Sequence, residues 1–240
     1  MKLNETLSNT METNNNGSPT HDHNHSHLLN EIDCDHCTDS DETPMHANAF
    51  DLAPDEKIAK IEQHFAQIMN ILGLDLTDDS LSRTPHRVAK MYVKEIFAGL
   101  LPENKPSVTL FENKYKYNQM LVERNITLFS MCEHHFVPIY GKVHVAYISN
   151  GKVIGLSKIN RIVQYFGRRP QVQERLTKQI ANELKRILGT EDVAVVIDAF
   201  HMCVSSRGVG DTQSSTITAE VAGKFLNEGT RSEFLQYIKN

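Results

Sequence analysis

The chain has 240 residues, of which 40% are hydrophobic and 23% charged, an ordinary globular composition with room for one generous domain or two small ones. Net charge is −5, but residues 1–50 hold nine acidic groups against one Lys, leaving the rest at +3, too little to argue for nucleic acid. No stretch approaches the roughly 20 apolar residues of a membrane span, the N-terminus lacks a signal peptide's apolar core, and four Cys make no disulfide framework, so a reducing cytoplasm is the expected setting.

Residues 1–50, rich in Asn, Ser, Thr and acidic groups, read as a disordered tail. His21, His23, His25 and His27 alternate within it, followed by Cys34 and Cys37; such a tract either binds metal loosely or is a solvated linker, and no catalysis is expected of it. A folded domain is expected over 51–240, with a helical part at 51–115 and a sheet-bearing core at 116–240. Ile58, Ile61, Phe65, Ile68 and Leu72 recur at steps of three and four, which predicts an amphipathic helix stopped by Gly73. Thr84-Pro85 opens a second helix through about Phe97. Both stripes are expected to pack into a core.

From about Gln119 the pattern turns extended. Strands are predicted around Met120–Ser130 and Lys142–Ser149, with Asn150-Gly151 turning into Lys152–Leu156. Ser157 is expected to cap a helix through about Phe166. Pro170 is expected to start a longer one, with Val172, Leu176, Ile180, Leu184 and Ile187 inward and Gly189 at its end. Asp192–Ser205 reads as one long strand, and Thr230-Arg231-Ser232-Glu233 as a capping box opening a short terminal helix. Helices and strands come in blocks rather than in alternation, which predicts an α+β fold.

Two segments carry chemistry. In Met131-Cys132-Glu133-His134-His135-Phe136, Cys132 and His135 lie three apart, so one turn of backbone can present both to one ion. About seventy residues on, His201 and Cys203 would share a face if both lie on a strand. Brought together, the segments offer two thiolates and up to three imidazoles, a donor set that favours zinc over calcium or magnesium. Spacing leaves open which of His134, His135 and His201 is a ligand. Four protein ligands would close the site, three would leave a position for chemistry, and two buried Cys among satisfied core histidines would be no site at all.

The run from Met131 to Pro138 closely resembles the signature of the GTP cyclohydrolase I family. So do Gly155-Leu156-Ser157-Lys158-Ile159-Asn160-Arg161, Arg169-Pro170-Gln171-Val172-Gln173-Glu174-Arg175-Leu176, the Thr84–Met91 run, and His201-Met202-Cys203 with Arg207-Gly208. The blocks follow in order from about Asp55 to the C-terminus, with residues 1–50 outside them. The resemblance implies a tunnelling fold, an antiparallel sheet with helices packed on one face, preceded by N-terminal helices and assembled into rings, usually decamers of two pentamers with active sites between subunits. It implies conversion of GTP and water to 7,8-dihydroneopterin triphosphate and formate at the entry to folate and pterin synthesis, and leaves room for allosteric regulation.

By the same resemblance one zinc ion per subunit is held by Cys132, His135 and Cys203, with one position left open. His134 and His201 are then free to move protons. Glu174, with Gln173 beside it, reads the guanine edge, and Ser157, Lys158, Arg161, Arg207 and Arg87 meet the triphosphate. A nitrile reductase of the same fold would not need the Cys/His set, and a metal-storage protein would need a closed site but not Glu174, Lys158 or Arg161. Neither accounts for the several matching blocks.

Overall fold

A computed structural model describes residues 41–239. The His21–His27 and Cys34–Cys37 tract lies outside them. The chain passes through α1 (Pro54–Ile71), α2 (Thr84–Met91), β1 (Leu110–Glu112), β2 (Met120–Cys132), β3 (Pro138–Ile148), β4 (Lys152–Ile154), α3 (Leu156–Gly167), β5 (Pro170–Gln171), α4 (Gln173–Leu188), β6 (Val193–His201), α5 (Met202–Ser205), β7 (Thr216–Val221) and α6 (Glu228–Ile238). No helix among the described residues is long and apolar enough to cross a membrane.

Five strands form the central sheet in the order β5-β2-β3-β6-β7. Every pairing is antiparallel except β5 with β2, where Met131 lies opposite Pro170 and Cys132 opposite Gln171. Alternation decides the faces. Ile126 and Leu128 of β2, Val143, Val145 and Tyr147 of β3, and Val193, Val195, Ile197 and Ala199 of β6 point to one side, where α3 and α4 cover them with Ile159, Ile162, Val163, Leu176, Ile180 and Leu184. Among the described residues the opposite side is covered only at one end, where Phe225 and Phe234 pack on Ala146, Ile148, Ala194 and Val196. The expectation of helices on one face therefore holds for α3 and α4 and is corrected for α6.

The helices show why they stop where they do. α4 ends at Gly189, whose φ of 63° is the left-handed conformation that a side chain disfavours. α1 ends at Leu72, before Gly73 at φ 82°. The second predicted helix changes pitch: after Met91 the backbone widens into a π-helical turn, Tyr92–Ile96, closed by the Phe97 N–H on Tyr92 O at 2.9 Å. Gly99 then meets the end of α3, its N–H on Arg168 O, so closely that a Cβ there would lie 2.0 Å from Tyr165 O.

Four other boundaries differ from expectation. Residues 41–50, assigned to the tail, lie against the domain: Lys57 Nζ donates to Ala49 O, and Gln179 Nε2 donates to Asp41 O. Ser157 does not cap α3; Gly155 occupies that position and Ser157 sits in the first turn. Pro170 belongs to a two-residue strand, because the β2 edge offers it partners, and α4 starts at Gln173 after Val172. The terminal helix is capped by Asn227, whose Oδ1 accepts from the Gly229 and Thr230 N–H groups, three residues before the start of the predicted box.

Candidate metal centre

The chain turns from the end of β2 into β3 through Cys132–Val137, pinned at its base by Cys132 N–H on Val137 O and Phe136 N–H on Cys132 O, both 2.9 Å. Phe136 adopts φ 50°, a conformation that costs a bulky residue of order 1 kcal/mol and persists only where neighbours hold it. Here the holder is Phe97 from beyond the π-helical turn, its ring edge-on to Phe136 at 5.3 Å. Glu133 is fixed twice: its N–H donates to Gln171 O at 3.1 Å, and its carboxylate takes both arms of the Arg175 guanidinium, which is buried in α4.

Into this loop comes the end of β6. The strand stops at His201 rather than continuing to Ser205, and Met202–Ser205 form one helical turn closed by Ser206 N–H on Met202 O. His201 and Cys203 thus do not share a strand face; the helical turn, not the pleat, delivers Cys203. Its thiol, Cys132 and His135 bring ligand atoms within 4.8 Å of one another. The Cys132 Sγ to His135 Nδ1 separation is 3.7 Å. A tetrahedral zinc with Zn–S near 2.3 Å and Zn–N near 2.0–2.1 Å needs about 3.6 Å, so the donors present fit such an ion. His134 Nδ1 is 3.8 Å from the same sulfur, but His134 is not part of the three-donor group.

Burial pushes the Cys203 thiol up, and the adjacent Cys132 thiol pushes it further, while Arg207 opposes both. A divalent ion between two such sulfurs reverses that resistance, because the thiolate is the ligand. Arg207 also donates to His135 Nε2 at 2.9 Å.

His201 is held on its other side. Gln173 is buried, and its Nε2 donates to Ile197 O, Thr216 O and Thr218 Oγ1, which fixes its amide so that Oε1 faces His201 Nε2 at 2.7 Å. Its amide is thereby fully engaged inside the protein. Gln173, expected beside Glu174 at the guanine edge, here has its side-chain oxygen on His201. Burial lowers the His201 pKa, and the Glu174 carboxylate opposes that shift. Glu174 is exposed in the first turn of α4 beside it.

The remaining anticipated residues are not gathered here. Ser157, Lys158 and Arg161 lie on α3, and Arg161 lines a cleft of about 340 Å³ with Lys94, Gln164 and Arg168. Arg87 is exposed on α2. Among the described residues no side-chain hydrogen bond or ion pair joins these four to the metal group. Conversely, sequence reasoning passed over Glu133–Arg175, Gln171, Gln179 and Phe97. The signal for the first was available, since two opposite charges stand inside the two most distinctive motifs.

Residues 61–239 match the family model described as GTP cyclohydrolase I. This chain belongs to that family. It is 57% identical to a GTP cyclohydrolase 1 of Flavobacterium johnsoniae over 216 residues, covering 90% of this chain and 97% of the relative. That match is longer than residues 51–240, so it reaches into the N-terminal segment. Identity is 59% to the enzyme of Aeromonas salmonicida and 56% to that of Vibrio cholerae, each over 82% of this chain and at least 90% of the relative. An archaeosine synthase QueF-Like in the apo form aligns with 48% of this chain and 94% of its own at 17% identity and a TM-score of 0.34, too slight a likeness to carry an argument. The mixed helices and curled sheet are consistent with the family's tunnelling fold.

Proposed function

We propose that the chain converts GTP and water to 7,8-dihydroneopterin triphosphate and formate, the first step of folate and pterin biosynthesis, with zinc held by Cys132, His135 and Cys203. One observation carries the reading: donors about seventy residues apart converge within 4.8 Å in a chain whose relatives are named GTP cyclohydrolase 1. When bound, a zinc ion supplies Lewis acidity that activates water near neutral pH for attack on guanine C8.

The chain's own residues do the rest. Glu174, exposed and acceptor-only, suits the two donors of the guanine edge, N1–H and the 2-amino group. His201 Nε2 carries its proton into Gln173 Oε1, which leaves Nδ1 as the atom that exchanges a proton with N7. His134, exposed beside the metal group, assists the proton transfers of ring opening. Arg207, already at the metal group, meets the nearest phosphates.

Ser157, Lys158, Arg161 and Arg87 suit the rest of the triphosphate but stand apart within one chain. Among the described residues, their lack of any side-chain hydrogen bond to the metal group within one chain suits an assembly in which neighbouring subunits complete the site, as in a decamer of two pentamers. No membrane or nucleic acid enters this reading, and a cytoplasmic setting suits its thiol ligands.

The test is to incubate purified protein with GTP and follow both products, with and without a zinc chelator. Chelator-sensitive formation of both is expected. Cys203→Ser should lower turnover at least about a hundredfold, more than loss of a ligand's outer partner costs. No product from fully metallated protein would sink the reading.

A further inference from the structure

The Cys132–Val137 loop is tied to α4 by buried polar groups that take no part in the chemistry, and one of them leads out to the N-terminal segment. Gln171 is fully buried opposite Cys132, and its backbone O receives the Glu133 N–H. Its side-chain Nε2 donates to Gln179 Oε1 at 2.8 Å and to Phe166 O at 3.0 Å. Gln179, also buried and one helical turn beyond Arg175, donates its own Nε2 to Asp41 O at 2.8 Å. The Asp41 side chain is anchored by Lys178 and Asn182, at 3.5 and 3.4 Å. A second tie runs beside the first: Arg169, its guanidinium over the Tyr165 and Phe166 rings, reaches Thr43 Oγ1 at 3.5 Å.

Each amide in this path has its orientation set by the next. With Gln171 Nε2 donating, Gln179 must present Oε1 to it and therefore Nε2 to a carbonyl, and the carbonyl supplied is that of Asp41. Remove residues 41–43, and a buried donor loses both Asp41 O and Thr43 Oγ1, a loss relieved by turning the amide away from Gln171. Turning it frees Gln171, the residue that holds the strand edge beneath Cys132 and Glu133.

We propose that residues 41–43 and Gln179 form a strap that positions the Cys132–His135 loop for its metal, so that Gln179 is a positioning residue for the metal centre. The inference rests on the metal reading of that centre. It separates two roles of the N-terminal segment, because residues before 41 carry every tail His and Cys up to Cys37 while the strap begins at Asp41.

The experiment compares full-length protein with Gln179→Leu and with chains lacking residues 1–40 or 1–43. Each is loaded with Co²⁺ for its thiolate-to-metal absorption spectrum and, separately, with Zn²⁺ for its release rate to a chromogenic chelator, with thermal unfolding recorded in parallel. Loss of residues 1–40 is expected to change neither spectrum nor release. Gln179→Leu and loss of 1–43 are expected to release zinc about tenfold faster and to shift the cobalt spectrum, the size expected for an outer partner of a metal ligand. Gln179→Glu, which keeps the acceptor for Gln171, should fall between. Altered unfolding with wild-type spectrum and release in both Gln179→Leu and the 1–43 deletion would overturn the strap. Absence of a thiolate spectrum in full-length protein would overturn the metal reading beneath it.

Discussion

The two faces of the central sheet are built to different standards. On the side of α3 and α4 an apolar layer runs from Ile126 to Ala199, and the amide nitrogens of Gln171 and Gln173 that enter it find acceptors there. On the other side Phe225 and Phe234 cover one end, and the end nearer the metal loop is bare: Phe129 is 69% exposed, and Tyr140 and Phe200 stack on each other at the surface, 5.6 Å apart. Phe129 lies opposite Tyr140, and Tyr140 opposite Phe200, so the three make an aromatic row across β2, β3 and β6. One face is finished within the chain. The other is half covered among the described residues, and its exposed aromatic row is where the proposed assembly would be expected to bury surface.

Truncations measure that contrast most strongly. Phe234→Ala should cost about 3–5 kcal/mol and Ile180→Ala about 2–5 kcal/mol in urea unfolding, since both residues are fully buried and each would leave a cavity. If Phe234→Ala cost under about 1 kcal/mol, α6 would be an ornament on the second face and the comparison would break.

A pH series sharpens it next. His144 is buried on the second face, where burial lowers its pKa from the ordinary 6.5; the Asp198 carboxylate opposes the shift, and Lys142 and Arg124 add to it. Its Nδ1 accepts from the Asn125 N–H at 3.4 Å. The unfolded chain then binds the proton at higher pH than the folded one. Stability from the neutral imidazole is present above about pH 6.5 and is lost as pH falls from there through the lowered folded value. Denaturant midpoints at pH 7 and pH 5 should fall closer together in His144→Gln than in the parent, and an unchanged gap would remove His144 from the account.

The smallest effect belongs to the aromatic row. Phe129→Ser and Phe200→Ser should change single-chain stability by no more than about 0.5 kcal/mol. Both should reduce the size of the proposed assembly in light scattering. Intact assemblies with a lowered melting temperature would mean the row is core after all.

Much of this was readable beforehand, and the misses have a common cause. The stripe Leu176, Ile180, Leu184 gave α4 because 3.6-residue periodicity survives any context, and the Asn150-Gly151 turn placed β4 for similar local reasons. Pro170 and the end of β6 were misread because neighbours decide them. The β2 edge draws Pro170 into a strand, and the turn after His201 is closed by its own backbone bonds. At the site the three-donor group came from motifs, but nothing local says that Thr216, Thr218 and Ile197 surround the Gln173 amide. Gln171 and Gln179 were invisible for the same reason: a buried amide is recognised only by its partners.

The separation of Cys132 from Cys203 also dictates an order of events during synthesis. A ribosome releases the first thiol and His135 while α3, α4 and β6 are still unmade, and domains fold as their segments emerge. The nascent protein therefore passes through a stage with half a metal site, open to oxidants and competing ions. Its third ligand arrives only when β6 has paired with β3. Binding of a metal through all three donors is thus tied to the pairing of β6 with β3, and a chain stalled before Cys203 lacks that donor as well as the Phe225 and Phe234 that cover the second face.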